Sequence, residues 1–119
     1  MIFTSYFSKQ AKKVPDEDTS YASIAVGKPR YRLPFELKDV QTVKPYGVFG
    51  KYEGDEYYNH YIDRLERIGV DRIYEDLRLA QGDKENLVLM CYEKNADECH
   101  RRMFAEWWLQ KTGEIIEEI

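Results

Sequence analysis

The chain lacks most features of secreted and membrane-bound proteins. Only two of its 119 residues are cysteines, too few for an extracellular scaffold held together by disulfides. The N-terminus has no charged segment followed by a long apolar stretch, so we expect no signal peptide, and no apolar run approaches the length of a membrane span. These absences predict a cytoplasmic location, no membrane partner, and two cysteines that remain thiols.

An excess of positive charge is also missing. The formal net charge of −4 and the isoelectric point of about 5.3 disfavour nucleic acid as a partner, and any such contact would have to be local. Internal repeats and low-complexity tracts are absent from the sequence. A chain of 119 residues can bury a core without a structural metal, so we predict a single domain over residues 1–119.

Apolar periodicity predicts strands that alternate with helices. We predict strands at 2–7, 21–26, 87–91 and, at a sheet edge, 114–119, with helices at 56–68, 71–80 and 97–111. Residues 8–20 are predicted as a loop, and 28–55 as irregular chain with one helical turn near 35–40. This order implies an α/β fold. We expect a three-layer, Rossmann-like arrangement with a mostly parallel sheet of about four strands and helices on both faces.

The chemically richest segment is the predicted strand-to-helix turn that follows residues 87–91. It brings together both cysteines, one histidine, one carboxylate near the strand end and three cations, namely Cys91, Glu93, Lys94, Cys99, His100, Arg101 and Arg102. In an open α/β sheet such turns lie at the carboxyl ends of the strands, where ligands bind and helix N-termini offer free N–H groups to anions. The sequence therefore predicts a site at this turn.

The residue types at the turn suggest specific roles. Glu93, His100 and Arg101 can serve as a base, a proton shuttle and an anion clamp. The alternative is a structural network in which Glu93 accepts hydrogen bonds from helix amides or from Arg101, and His100 caps a neighbouring loop. For a functional site, the candidate catalytic residues are Glu93, His100, Cys91 and Cys99, and the candidate ligand-binding residues are Ser5, Tyr6, Lys94 and Arg101.

The two cysteines leave several alternatives open. The helix N-terminus favours a thiolate at Cys99, whereas neighbouring carboxylates oppose it. The side chains of Cys91, Cys99 and His100, with His60 as a distant fourth ligand, are of types that bind zinc. Their spacing is not a paired C-x-x-C signature, so we predict no metal and no cofactor. A Cys91–Cys99 disulfide is geometrically feasible, but a reducing compartment favours thiols that are close and unbonded. The segment before Arg101 is too long, too acidic and too poor in glycine for a phosphatase loop.

The segments Leu89-Met90-Cys91-Tyr92-Glu93-Lys94 and Cys99-His100-Arg101-Arg102 resemble the signature of the domain-of-unknown-function family 488. In that family a strand ending Cys-x-Glu-Lys leads to a helix that begins Cys-His-Arg. The N-terminal Phe3-Thr4-Ser5-Tyr6-Phe7 is similar to the short branch of the family. The resemblance implies a Rossmann-like cytoplasmic domain of bacterial or phage type, with Cys91, Glu93, Cys99, His100 and Arg101 in the motif positions, and it implies no substrate.

We therefore predict a pocket for an anionic small molecule, such as a nucleotide, at the Cys91–Arg101 turn. The residues do not distinguish an enzyme from a binding protein. One alternative is a non-catalytic interaction or nucleic-acid-associated module that uses the aromatic, loop-rich middle of the chain. Another is a thiol redox protein that uses Cys91 and Cys99.

Overall fold

A computed structural model describes residues 1–95 and 99–119 and contains a five-stranded, all-parallel sheet. The α/β fold class is confirmed, and the sheet has one strand more than expected. In chain order the elements are β1 (Ile2–Tyr6), α1 (Phe7–Gln10), β2 (Thr19–Ser23), β3 (Leu37–Asp39), a 3-10 helix (Gln41–Val43), α2 (Gly54–Ile68), α3 (Val70–Gln81), β4 (Asn86–Cys91), α4 (His100–Thr112) and β5 (Glu117–Glu118).

The strand order, β3-β2-β4-β1-β5, places β4 at the centre of the sheet. A central parallel strand is covered on both faces, which explains why β4 is a continuous apolar run and is buried almost throughout. The register pairs Tyr6 of β1 with Cys91 of β4, and Ser23 of β2 with Met90. The carboxyl ends of these three strands therefore share one edge, from which the turn toward α4 departs.

Three long helices contact one another, and two of them also contact the sheet. Helix α2 buries Tyr61 and Leu65, and it ends at Gly69, whose positive φ of 91° lets the chain turn at once into α3. Both α3 and α4 pack against the sheet, and α2 contacts both of them. The aromatic stripe of α4 lies in the core, with Phe104 and Trp108 buried. Within the described ranges, no helix is long and apolar enough to cross a membrane.

The structure differs from the sequence predictions where elements are short. The helical turn predicted near 35–40 is wrong, because β3 occupies that segment and pairs Leu37 with Tyr21 of β2. Three half-buried residues at a sheet edge give no alternating pattern from which a strand can be inferred. Helix α1, four residues long, falls in the segment predicted as a loop. The predicted start of the last helix at residue 97 lies outside the described residues, and α4 is described from His100.

Candidate functional site

A cavity of about 700 Å³ lies beside the turn from β4 to α4. Its wall is formed by the segment before α2, the first turn of α2, Glu93 two positions after the end of β4, and the start of α4. Two residues predicted from sequence, Glu93 and His100, line it together with residues that were not predicted, including Lys51, Tyr52, Glu53, Glu56 and Tyr57. The cavity therefore lies at the carboxyl edge of the sheet, the edge at which open α/β sheets commonly bind ligands.

Glu93 is held by its backbone and lines the cavity. Its carbonyl oxygen accepts a hydrogen bond of 2.5 Å from Arg101 Nη1. Burial, followed by the negative charge of Glu93, raises the pKa of the cavity residue Tyr57 to about 12. The Tyr57 phenol is therefore a protonated hydrogen-bond donor at neutral pH, close to a carboxylate that can accept.

His100 is a buried, uncharged imidazole with a fixed orientation. Its Nε2 lies 2.5 Å from the carbonyl oxygen of Ile24, which can only accept, so Nε2 carries the proton and Nδ1 has the lone pair. Burial lowers the pKa of His100 to about 4; the charge of Arg101 acts in the same direction, and the hydrogen bond to Ile24 opposes it. These contacts give no support to the predicted proton shuttle, because the Nε2 proton is committed to Ile24.

Arg101 is fully buried and surrounded by acceptors within the protein. Its Nε lies 3.0 Å from Oε1 of Glu118 in β5, and Nη2 lies 3.0 Å from Oε2 of the same carboxylate. The guanidinium also donates to the carbonyls of Glu93 and Lys94 and lies 2.9 Å from Cys91 Sγ. The contacts do not support an anion clamp, since these donors are engaged and Arg101 does not line the described cavity wall. The contacts of Arg101 agree better with the alternative of a structural network, in which Glu118 and not Glu93 supplies the carboxylate.

The remaining predicted ligand-binding residues lie away from the cavity. Ser5 is buried; its hydroxyl donates to the carbonyl of Ile119 at 2.9 Å and accepts from Gln10 at 3.0 Å. The Tyr6 ring centroid is 5.8 Å from the Arg101 guanidinium carbon, and Lys94 is exposed. None of Ser5, Tyr6 and Lys94 lines the cavity in the described part of the chain, so their ligand-binding role remains a prediction.

Cys91 and Cys99 form a disulfide, so the expectation that both are free thiols is wrong for this structure. Their predicted proximity is confirmed, with Cα atoms 7.5 Å apart, because the end of β4 and the start of α4 face each other across a short connection. Both cysteines are buried. Cys99 Sγ lies 3.7 Å from Nδ1 of His100, so both sulfurs and one imidazole meet at one point.

Sequence reasoning missed the contribution of α2 and its preceding loop to the cavity. Lys51, Tyr52 and Glu53 precede the helix, and Tyr57 lies at the end of its first turn. The polar and aromatic residues around Gly50 and Gly54, just before a strong helical period, were the available signal. Glu118 gave no signal, because only the folded sheet brings β5 beside Arg101.

None of the curated proteins and none of the solved structures matches the chain significantly. One family model does match, described as "Domain of unknown function DUF488", over residues 44–108. This range is more than half of the chain, and it contains the cavity wall, both cysteines, His100 and Arg101. The chain therefore belongs to the DUF488 family of domains of unknown function.

Proposed function

We propose that this chain binds a small molecule with a planar, hydrogen-bond-donating ring, comparable in size to a nucleoside, in the cavity beside β4. The observation that carries the proposal is the meeting of the Glu93 carboxylate and the Tyr57 phenol in a cavity of about 700 Å³ at the carboxyl edge of a parallel sheet. Small-molecule sites are typically about 300–1,000 Å³ in volume and combine apolar walls with a few placed polar groups. The Glu93 carboxylate as hydrogen-bond acceptor and the Tyr57 phenol as donor can bind the polar edge of a heterocyclic ring.

The charge of the wall favours a neutral or cationic group over an anion inside the cavity. Among the described lining residues, Glu53, Glu56 and Glu93 are acidic and Lys51 is basic. The N-termini of α2 and α4 each add roughly half a positive charge. Together with Lys51 they offset about two of the three negative charges, which leaves an acidic wall. We therefore revise the anionic ligand expected from sequence to one whose base-like part enters the cavity.

Aromatic rings at the cavity offer surfaces for stacking. Phe49 is 58% exposed although it is a large apolar side chain. The half-buried Tyr52 ring is stacked on His60, with centroids 3.7 Å apart, so a ligand could stack only on its other face. Exposed rings beside a cavity can cover the face of a planar ligand at little entropic cost, because their side chains have few rotatable bonds. A planar ring thus fits both the polar and the aromatic parts of the wall.

Isothermal titration calorimetry on the oxidised chain tests the proposal with a panel of nucleobases and nucleosides, and with ribose 5-phosphate as the phosphate-only probe. We expect at least one base-bearing compound to bind and ribose 5-phosphate to fail. Tyr57→Phe should weaken binding about 5- to 100-fold, as the loss of one buried hydrogen bond does. The matched control is Tyr58→Phe, since Tyr58 is adjacent, 47% exposed and outside the cavity wall, and it should bind like the parent. Equal affinity of the two variants, or no binding by any base-bearing compound, contradicts the proposal.

A second candidate function is thiol–disulfide exchange at Cys91 and Cys99. The disulfide itself favours it, as does the guanidinium Nη1 of Arg101, which lies 2.9 Å from Cys91 Sγ and would stabilise a thiolate there. A dithiol would supply two electrons and two protons, forming two protein thiols and its own disulfide. Both sulfurs are buried, so exchange requires the turn to open, which places this function second.

A redox titration in dithiol buffers tests this second function. Reversible formation of two thiols with unchanged circular dichroism supports it. Reduction that occurs only when the chain unfolds rules it out.

A further inference from the structure

Three good ligands for a borderline-soft metal ion meet at one buried point. The Sγ atoms of Cys91 and Cys99 and a ring nitrogen of His100 all lie within 4.8 Å of one another, and all three residues are buried. Thiolate and imidazole together select Zn²⁺ over the oxygen-preferring Mg²⁺ and Ca²⁺. We propose that the reduced chain binds Zn²⁺ through Cys91, Cys99 and His100.

The spacing of the ligand atoms fits a shared tetrahedral ion. A zinc ion about 2.3 Å from sulfur and about 2.05 Å from nitrogen places those two atoms about 3.6 Å apart. The distance from Cys99 Sγ to His100 Nδ1 is 3.7 Å. An ion can therefore lie between Cys99 and His100 with little rearrangement of either side chain.

The distance between the Cα atoms of the two cysteines is also compatible with a shared metal ion. Their Cα atoms are 7.5 Å apart, whereas disulfides usually have Cα separations of about 4.4–6.8 Å. Two thiolates bound to one tetrahedral zinc lie about 3.8 Å apart, so they suit a wider Cα separation. The positions of β4 and α4 thus accommodate a metal between the two sulfurs.

The hydrogen bond from His100 prepares its other nitrogen for a metal. Nε2 donates to the Ile24 carbonyl, which fixes the tautomer and leaves the Nδ1 lone pair facing Cys99 Sγ. Metal-bound histidines characteristically donate their second N–H to a carbonyl or carboxylate in this way. In the reduced chain the Nδ1 lone pair and the Cys99 thiolate are both electron-pair donors that lie side by side, so a cation would satisfy both atoms.

The surrounding charges are compatible with a divalent cation. Two thiolates neutralise Zn²⁺, and the nearby guanidinium of Arg101 donates to Cys91 Sγ at 2.9 Å. The positive charge of Arg101 is itself paired with the Glu118 carboxylate. Hydrogen bonds to ligating atoms are the usual outer support of a metal site. Arg101 would therefore support the metal site by donating a hydrogen bond to a ligating sulfur, although it does not serve as an anion clamp.

Metal binding and the disulfide exclude each other. A dithiol or phosphine reductant supplies two electrons, and two protons convert the disulfide into two thiols. Zn²⁺ then binds both sulfurs and displaces those two protons to solvent. Three protein ligands leave one position of a tetrahedral ion for water or a substrate, which is the pattern of catalytic rather than structural zinc sites. Because His100 also lines the cavity, the metal would lie at its inner wall.

Cobalt titration of the full chain tests the site, because Co²⁺ replaces Zn²⁺ and reports its ligands by absorption. In the phosphine-reduced chain we expect thiolate-to-cobalt charge-transfer bands in the near ultraviolet and intense visible bands of tetrahedral cobalt, saturating at one ion per chain. One equivalent of Zn²⁺ should abolish both sets of bands. The oxidised chain should show neither. Failure of the reduced parent to develop these bands overturns the proposal, whatever the variants do.

Variants assign the ligands. Cys99→Ser should reduce the charge-transfer intensity by about half and weaken binding at least tenfold, and His100→Gln should weaken binding at least tenfold while keeping the charge-transfer bands. The control is His60→Gln, because His60 is the other histidine, is exposed and stacks on Tyr52, and it should bind cobalt like the parent. Unchanged affinity in His100→Gln overturns the three-ligand site. The metal site and the ligand site of the cavity are tested independently, because the titration uses the metal alone and the nucleoside test uses the oxidised chain.

Discussion

Replacing Arg101 with alanine should cost about 3 kcal/mol of folding free energy. Arg101 is 0% exposed, whereas the side chain of its partner Glu118 is 36% exposed. Removing one member of a buried ion pair typically costs about 3–5 kcal/mol, because the other charge is left buried. The lower end applies here, since Glu118 can regain water. The carbonyls of Glu93 and Lys94 also lose a donor, which prevents the cost from falling to that of a surface pair.

Urea denaturation followed by circular dichroism measures this cost. With an m-value of about 2 kcal/mol/M, the midpoint should fall by about 1.5 M. Arg67→Ala is the matched control, because Arg67 forms an ion pair with Asp63 on the surface of α2 at 72% exposure, and it should change stability by less than about 0.5 kcal/mol. Equal midpoints for the two variants would refute the structural role of Arg101 and restore it as a candidate ligand-binding group.

Three further predictions concern His100, Tyr57 and Gly69. The pKa of His100 is about 4 in the folded, metal-free chain against an ordinary 6.5, so the unfolded state takes up the proton first as pH falls. Stability should therefore decline between about pH 6.5 and pH 4 by up to about 3 kcal/mol, and denaturation of His100→Gln should lack this component. Glu93→Gln should lower the pKa of Tyr57 from about 12, measured by NMR titration of labelled tyrosine, and an unchanged pKa would mean that Glu93 does not face the phenol. Gly69→Ala should lower stability by about 1–3 kcal/mol in urea denaturation, because a φ of 91° is strained for alanine, and a neutral effect would contradict the turn geometry.

Long elements of this chain are predictable from sequence, because their periodicity reflects which side faces the core. The apolar run that ends at Cys91 predicts the buried central strand. The spacing of Tyr61 and Leu65 predicts which face of α2 is buried. Helix ends at Gly69 and Gly82 also follow from the sequence, since both glycines adopt positive φ. The edge strand Leu37–Asp39 was missed because its pairing with β2, and not its own pattern, defines it.

The location of the candidate site was predictable, but the division of roles within it was not. Residue types identified the turn between Cys91 and Arg101. The orientation of each side chain depends on its tertiary partners. Arg101 pairs with the carboxylate of Glu118, and His100 donates to the carbonyl of Ile24. The cavity wall from Lys51 to Tyr57 is distant in sequence and meets Glu93 only in the folded chain. Chemistry that arises from such convergence leaves little trace in local sequence.

We propose that Glu93 and Tyr57 form a ligand site beside the turn, with Arg101 as its structural support. NMR titration of the uniformly ¹⁵N-labelled, oxidised chain with the tightest-binding nucleobase or nucleoside tests this site. We expect saturable amide shifts concentrated in residues 49–57 and at Glu93, His100 and Met103, and their loss in Tyr57→Phe. Shifts confined to the opposite strand ends or to the surface of α3, or shifts that persist in Tyr57→Phe, would contradict it.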